Sequence, residues 1–286
     1  ITGTNGKTTT SYMLRSILEQ DGRSTGLIGT IQHLVGRETV KAETTTPDAI
    51  EIQRYLARMV DANQEAAVLE VSSHALDQGR VQGVRFKAGV FTNLSREHLD
   101  YHGDMAAYTE AKRRLFETPE LKWAVANTDD PAGAGMLEAA GPAVRKVAVG
   151  SGFQSAADRN LVLRDVLAEP GGMAVRLDGD WGEMEISSRL FGRFNADNLA
   201  LALAVVAPLP ERSRLLVALL GWIFAVGLGA WAYRGRSGRV VPVTRLALAS
   251  GIVAVIGASA MVFISLQVRE ILAGTVVFGA AGSSCD

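Results

Sequence analysis

The hexapeptide Gly3-Thr4-Asn5-Gly6-Lys7-Thr8 runs directly into an amphipathic segment, Tyr12 to Glu19. Few folds accommodate that order of residues. A glycine-punctuated loop feeding a helix turns its backbone N–H groups inward around an anion, and the helix adds the positive end of its dipole. Such a loop hangs from a buried strand, of which Ile1-Thr2 precede it here. The expectation is a P-loop-type α/β domain belonging to a longer protein cut just upstream of the loop. The strict P-loop pattern has glycine five residues before Gly6, where this chain has Ile1. The shortened loop is either a phosphate cradle, with Lys7 on the outer phosphates and Thr8 on Mg²⁺, or an ordinary glycine turn.

From Thr8 to Asn198 short β-type runs alternate with helical patterns, which supports a mostly parallel sheet flanked by helices. A first helix is expected over Thr8–Gln20, stopped by Gly22, then a strand over Leu27–Ile31 and a polar hairpin or loop to Lys41. Thr46 before Pro47 reads as a helix cap with proline in the first helical position, the helix running to Val60 on Ile50, Leu56, Met59 and Val60. Alternatively, the hydroxyls of Thr44-Thr45-Thr46 hold a polar substrate. Strands are expected over Ala66–Val71, Lys87–Asn93, Trp123–Asn127 and Val144–Val149, and short antiparallel strands over residues 160–188.

Ligands of open α/β sheets gather at the carboxyl ends of strands. Glu70-Val71-Ser72-Ser73-His74 lies at one such end, and a carboxylate there suits Mg²⁺, which takes oxygen ligands and needs few from protein. Asn93 to Asp104 follows another strand and contains His98, His102 and three acids. Zinc is disfavoured there because the histidines lie in a loop-like stretch without cysteine support. Asp77-Gln78-Gly79-Arg80 is a polar turn in which Arg80 either pairs with an anion or is solvated. Met105–Glu117 is expected to be a helix, and Lys112 reads by itself as a surface lysine. Gly192–Asn198 opens another helix, where Asn195 either caps or reads an adenine edge.

Composition matters at one point. All four histidines and all six lysines precede Ala207, so residues 1–206 carry −5 and residues 207–286 carry +4. The overall charge of −1 argues neither for nor against nucleic acid, and no nucleic-acid partner is expected. A single cysteine, Cys285, excludes an intrachain disulfide framework and a zinc cluster.

Gly3–Thr9, Thr44–Pro47, Glu70–His74, Gln78–Arg80, Asn93–Gly103, Tyr108–Lys112 and Gly192–Asn198 together resemble the central ATP-binding domain of the Mur ligase family, in family order and over residues 1–206. The resemblance implies a cytoplasmic, ATP-dependent acid–amino acid ligase of peptidoglycan precursor synthesis. Its acid substrate would be the UDP-muramoyl dipeptide that receives the third stem-peptide residue, diaminopimelate or lysine. It further implies that Gly3, Thr4, Asn5, Gly6, Lys7, Thr8 and Thr9 bind the ATP phosphates. Thr8, Glu70, His98 and an N-carboxylated Lys112 would ligate Mg²⁺, with Lys7, His98 and Lys112 catalytic. Thr45, Thr46, Ser72, Gln78 and Arg80 would hold the muramoyl dipeptide, and Asn195 and Asn198 would lie near adenine. Other ligases of the superfamily, folylpolyglutamate and cyanophycin synthetases, are the alternatives within the class. The domains that hold the uridine end and the incoming amino acid fall outside the matched stretch, so residues 1–206 alone are not expected to turn over.

The family pattern stops near Val206. Residues 215–233 and 246–268 are runs without charge, the first about 28 Å long as a helix against a hydrocarbon core of ~30 Å. They read as a helical, membrane-spanning hairpin around an arginine-rich loop, which the positive-inside tendency places in the cytoplasm. That topology would put residues 1–206 on the far side from ATP. The expectation is a tail from a different gene. A membrane-anchored nucleotide-binding module without ligase activity is the alternative.

Overall fold

The computed structural model describes residues 1–208. The expected spans at 215–233 and 246–268 lie outside the described residues. Among the described residues no helix is long and apolar enough to cross a membrane.

Among the described residues seven helices and ten strands follow in the order α1 (Lys7–Gln20), β1 (Thr25–Ile28), β2 (Gln32–Val35), β3 (Glu38–Lys41), α2 (Ala49–Asp61), β4 (Ala66–Leu69), α3 (Ser73–Asp77), β5 (Ala88–Phe91), α4 (Leu99–His102), α5 (Met105–Arg113), β6 (Trp123–Asn127), α6 (Gly133–Ala139), β7 (Arg145–Gly150), β8 (Arg159–Glu169), β9 (Gly172–Gly179), β10 (Met184–Ser188) and α7 (Arg193–Val206). The strands form two sheets, ordered β3-β2-β1-β4 and β10-β9-β8-β7-β6-β5. Residues 1 and 2 join them. Ile1 N donates to Leu69 O and Val71 N to Ile1 O, both at 2.8 Å. Thr2 N donates to Val90 O at 2.8 Å, and Thr92 N to Thr2 O at 3.0 Å. The loop after Thr2 therefore springs from the middle of the combined sheet.

The parallel character is confined to that middle. β1 pairs with β4, and β5 to β8 pair successively, in parallel. Both flanks are antiparallel, β1-β2-β3 at one and β8-β9-β10 at the other. The second flank meets the expectation of short antiparallel strands over residues 160–188, and the first takes the hairpin form of the hairpin or loop expected up to Lys41. The links 36–37 and 170–171 have two residues each, and a two-residue link can only reverse a strand, whereas a parallel return needs a crossover.

Both faces of the sheet are covered, so strand residues alternate between two apolar clusters rather than between apolar and polar. Leu27, Val90 and Val125 pack with Met13, Leu14 and Leu18 of α1 and with Leu199 to Ala202 of α7. Their neighbours Ile28, Phe91 and Ala126 pack on the other face with Ile52 and Met59 of α2 and with Leu115 and Phe116.

Four local expectations shift. β1 ends at Ile28 instead of Ile31, which frees Gly29 and Thr30 for another use, and Ile31 is exposed. The helix expected to start at Pro47 starts at Ala49, capped by the Asp48 carboxylate, which accepts from Glu51 N at 2.8 Å. Its buried face is Ile52, Tyr55 and Met59, while Ile50 and Val60 face solvent. α5 stops at Arg113, short of Glu117. Gly192, not Asn195, occupies the cap position of α7.

Candidate functional site

Gly6 takes φ +85°, a left-handed conformation that costs an L side chain about 1–2 kcal/mol. It is also the cap position of α1, and no side chain caps that end. The first N–H groups of α1 therefore keep their donor capacity for an anion, which a side-chain cap would consume. A methyl group on Gly6 would lie 2.4 Å from Asn198 Oδ1, so α7 closes against the back of the loop.

The loop is held in shape by the segment after β5. Asn5 N donates to Asn93 Oδ1 at 2.9 Å, and Thr92 Oγ1 and Asn93 Nδ2 donate to Asn5 O at 2.6 and 3.0 Å. Thr4 Oγ1 accepts from Ser95 N at 3.0 Å and lies 3.1 Å from the Tyr108 hydroxyl. Lys7 reaches back along the loop, its Nζ donating to Gly3 O and Thr4 O at 2.8 and 2.9 Å. Burial lowers the Lys7 pKa, and Glu70 and Glu97 oppose that shift. Thr9 is half-buried on the first turn of α1.

Behind Lys7 stands Glu70, fully buried just past the end of β4. Its Oε2 accepts from Thr8 Oγ1 at 2.8 Å and from Thr30 Oγ1 at 2.9 Å. Its Oε1 accepts from Thr30 N at 3.1 Å and lies 3.4 Å from Ser11 Oγ. Gly29 lies directly beneath, where a side chain would meet Oε1 at 2.3 Å.

Lys112 is not a surface residue: it is 1 % exposed, with Nζ 4.4 Å from the centre of the Tyr108 ring. Burial, and then the charge of Lys7, push its pKa down to about 7. Tyr108 is the hinge between groups, since it also touches Thr4 and lies edge-on to His98 with ring centres 6.1 Å apart. His98 sits at the rim with φ +57°, half-exposed, packed edge-on against His74 at 4.9 Å.

Thr8 and Glu70 are thus in direct contact with Lys7 beside them. Lys112 lies within electrostatic reach of Lys7, and Tyr108 connects it to the loop and to His98. No hydrogen bond or ion pair among the described residues joins His98 to Glu70. Nor do any three His, Cys, Asp or Glu side chains among them converge on a metal-sized point. What is present fits Mg²⁺ better than a softer metal. A carboxylate and a hydroxyl at an anion-binding loop supply the few oxygen ligands that Mg²⁺ takes from protein, the rest coming from water and phosphate.

The threonine stretch lies against the backbone of the same residue. Thr46 is 1 % exposed, and its Oγ1 donates to Glu70 O at 2.9 Å while accepting from Ser72 N at 3.0 Å. That engagement explains why Asp48 caps α2. Thr45 Oγ1 lies 3.1 Å from Thr30 Oγ1. Ser72 Oγ caps α3 by accepting from Ala75 N. Arg80 is not merely solvated: its NH1 donates to Thr46 O at 2.9 Å, and its Nε and NH2 clasp Gln78 Oε1 at 2.8 and 2.6 Å.

The two asparagines expected beside adenine separate in role. Asn195 Nδ2 donates to Phe191 O at 2.8 Å near the surface. Asn198 is buried, its Oδ1 accepting from Thr10 Oγ1 at 3.2 Å, and it braces the Gly3–Thr8 loop from behind. Residues that sequence reasoning missed are Gly29, Thr30, Asn93 and Tyr108. Gly29 and Thr30 lie just past β1, on the carboxyl side where ligands gather, but the sequence reads them as part of the strand.

The family model for the Mur ligase middle domain matches residues 1–206. The chain belongs to that family. Relatives of this Mur ligase middle domain include a protein of Alkalilimnicola ehrlichii, 42% identical over 214 residues covering 73% of this chain and 43% of the relative. One from Prochlorococcus marinus is 42% identical over 218 residues, covering 73% and 43%. Both are named UDP-N-acetylmuramoyl-L-alanyl-D-glutamate–2,6-diaminopimelate ligase. A solved structure of a protein with that name superimposes with a TM-score of 0.64 at 33% identity, covering 74% of this chain and 43% of that one. The chain spans less than half the length of these relatives.

Proposed function

We propose that this Mur ligase middle domain is the nucleotide-binding core of an ATP-dependent ligase that adds diaminopimelate to UDP-N-acetylmuramoyl-L-alanyl-D-glutamate. The observation that carries the reading is the junction of Thr8 with the buried Glu70 behind a phosphate-type loop. The relatives' names support the substrate, and they favour diaminopimelate over lysine as the amine. The reading places the reaction in the cytoplasm.

The chemistry begins with a carboxylate, from which an amine cannot displace oxide. An oxygen of the D-glutamate γ-carboxylate attacks the γ-phosphorus of ATP, the bond to the β-phosphate bridging oxygen breaks, and ADP leaves. The amine then attacks the acyl phosphate carbon, loses a proton, and inorganic phosphate departs. Residues Gly3 to Thr9 would orient the phosphates, and Lys7 would offset charge on the transferring group, where positioning and electrostatics do most of the work. Mg²⁺, when bound, would neutralise phosphate charge; Thr8, Glu70 and His98 would hold it. Thr45, Ser72, Gln78 and Arg80 would face the dipeptide, with the buried Thr46 bracing Ser72 and Arg80 from within, and Asn195 the adenine.

Lys112 would join the metal ligands as a carbamate. An ammonium cannot bind a cation, but a neutral amine adds to CO₂ and gives an anionic oxygen donor. Its burial and its pKa near 7 supply that neutral amine at physiological pH. In ¹³C-bicarbonate the protein should show a carbamate carbon resonance that Lys112→Met lacks.

The test of the activity is a chimaera. Residues 1–206 replace the matching segment of the Alkalilimnicola ehrlichii ligase, and ADP release is followed. Release requiring both the muramoyl dipeptide and diaminopimelate, and abolished by Lys7→Ala or Glu70→Gln, is the expected result. A folded, ATP-binding chimaera that releases no ADP with both substrates refutes the reading.

A further inference from the structure

Thr30 bonds twice to the buried carboxylate, more than any other residue among the described ones. Its backbone N holds Oε1 at 3.1 Å and its hydroxyl holds Oε2 at 2.9 Å. The two bonds straddle the carboxylate plane's two oxygens and so fix its rotation, which a single donor cannot do. The same hydroxyl lies 3.1 Å from Thr45 Oγ1. A hydroxyl has one proton, and a carboxylate can only accept. The Thr30 proton therefore belongs to Glu70, and the Thr45 hydroxyl donates to Thr30. The result is a directed chain, Thr45 to Thr30 to Glu70, that links the threonine stretch to the phosphate loop.

Two further contacts keep Thr30 in place. Gly29 N donates to His33 Nδ1 at 3.3 Å, and His33 is buried against the Tyr55 ring at 5.1 Å. Gly29 itself admits no side chain beneath Oε1. The turn after β1 is thus built around the carboxylate, although nothing in its sequence is acidic or basic.

We propose that Thr30 is a positioning residue of this site: its hydroxyl, fed by Thr45, sets the orientation in which Glu70 meets the cation that accompanies the nucleotide. The proposal rests on the reading of Glu70 as a cation ligand. It predicts that removing the hydroxyl weakens the cation's contribution to nucleotide binding and leaves cation-free nucleotide binding alone.

The experiment measures binding of a fluorescent ATP analogue to the full chain as Mg²⁺ is titrated. Thr30→Val should raise the Mg²⁺ concentration for half-maximal enhancement by about tenfold or more, the effect of losing one hydrogen bond to a charged group. Affinity without Mg²⁺ should stay within about twofold, and Thr30→Ser should restore the wild-type titration. Thr45→Val, which removes the donor to Thr30, should shift the midpoint in the same direction and by less. Thr30→Ala carries the same comparison if the valine variant does not fold. Glu70→Gln separates the role of the ligand from that of its positioner. If Glu70→Gln abolishes the Mg²⁺ enhancement and both Thr30→Val and Thr30→Ala titrate like the wild type, the role given to Thr30 is wrong and Glu70 keeps its own. If Glu70→Gln leaves the enhancement intact, the ligand reading fails and takes the proposal with it.

Discussion

A single methyl group tests how tightly the site is built. In Gly29→Ala the new carbon would lie 2.3 Å from Glu70 Oε1 and 3.0 Å from its Cδ. Gly29 is outside the left-handed region, so backbone strain does not enter and the cost is steric. Restoring ordinary contact requires the carboxylate to retreat by about 1 Å, because repulsion rises steeply inside van der Waals distance. Glu70 is fully buried, and three donors, one from Thr8 and two from Thr30, hold it at 2.8 to 3.1 Å, with the Ser11 hydroxyl, whose proton goes to Thr8 O, 3.4 Å away. A retreat of that size breaks about two of them, each worth about 1.5–3 kcal/mol for an ionised acceptor. The expected loss is about 3 kcal/mol, or about 10 °C in Tm for a domain of this size. Thermal and urea melts followed by circular dichroism measure it. The cycle with Glu70→Asp supplies the decisive comparison, since the shorter acid withdraws from the methyl group. Gly29→Ala should cost at least about 1 kcal/mol less in the Glu70→Asp background than alone. Additive costs, or a Gly29→Ala protein as stable as the parent, would refute the claim that the carboxylate packs on this glycine.

Gly6→Ala should lose nucleotide binding and about 3 kcal/mol of stability, from left-handed strain and displacement of Asn198; Gly22→Ala, at φ +76° with open space around it, should lose only about 1 kcal/mol in the same melts. Burial lowers the pKa of His33, against the opposing charges of Glu51 and Glu70. The unfolded chain therefore binds the proton first, and stability is full above about pH 6.5 and falls below it, by at most about 1.4 kcal/mol per pH unit. His33→Gln should flatten that acid limb in urea melts run from pH 5 to 8. Lys112 titrates near 7 in the fold against an ordinary value of 10.5. In CO₂-free buffer Lys112→Met should exceed the parent in stability at pH 7, by an amount that shrinks as pH rises toward 10.5. The same substitution should abolish ADP release by the chimaera.

The parts legible in the sequence were those with strong local signals. A loop of two glycines, a lysine and hydroxyls before an amphipathic run has one economical structure, and α1 forms where that pattern puts it. Glu70 was legible because an acid at the end of an apolar strand is rare. Thr30 was not, because Leu27–Ile31 reads as one apolar-rich strand, and only the packing of Gly29 under Glu70 ends it early. The start of α2 was misplaced for a related reason: Thr46 is a good cap by composition, but Glu70 O and Ser72 N compete for its hydroxyl and Asp48 takes over. Lys112 reads as a surface lysine because its neighbours are charged, whereas Arg114 turns outward and Lys112 inward against Tyr108. Asn198 reads as an amide by type, and its engagement of Thr10 through Oδ1 follows from the close approach of α7 to Gly6. For Thr30 and Thr46 a long-range contact overrode a local preference.

The seam at Ile1 and Thr2 has a mechanical consequence. Among the described residues, this two-residue rung carries the hydrogen bonds that stitch the β4 edge of one sheet to the β5 edge of the other. A triphosphate seated in the loop would pull on that stitch directly, acting as a clasp on the whole ten-stranded surface. Slowed amide exchange at Thr2, Val71 and Thr92 on nucleotide addition, at positions that touch no phosphate, would register that clasp closing.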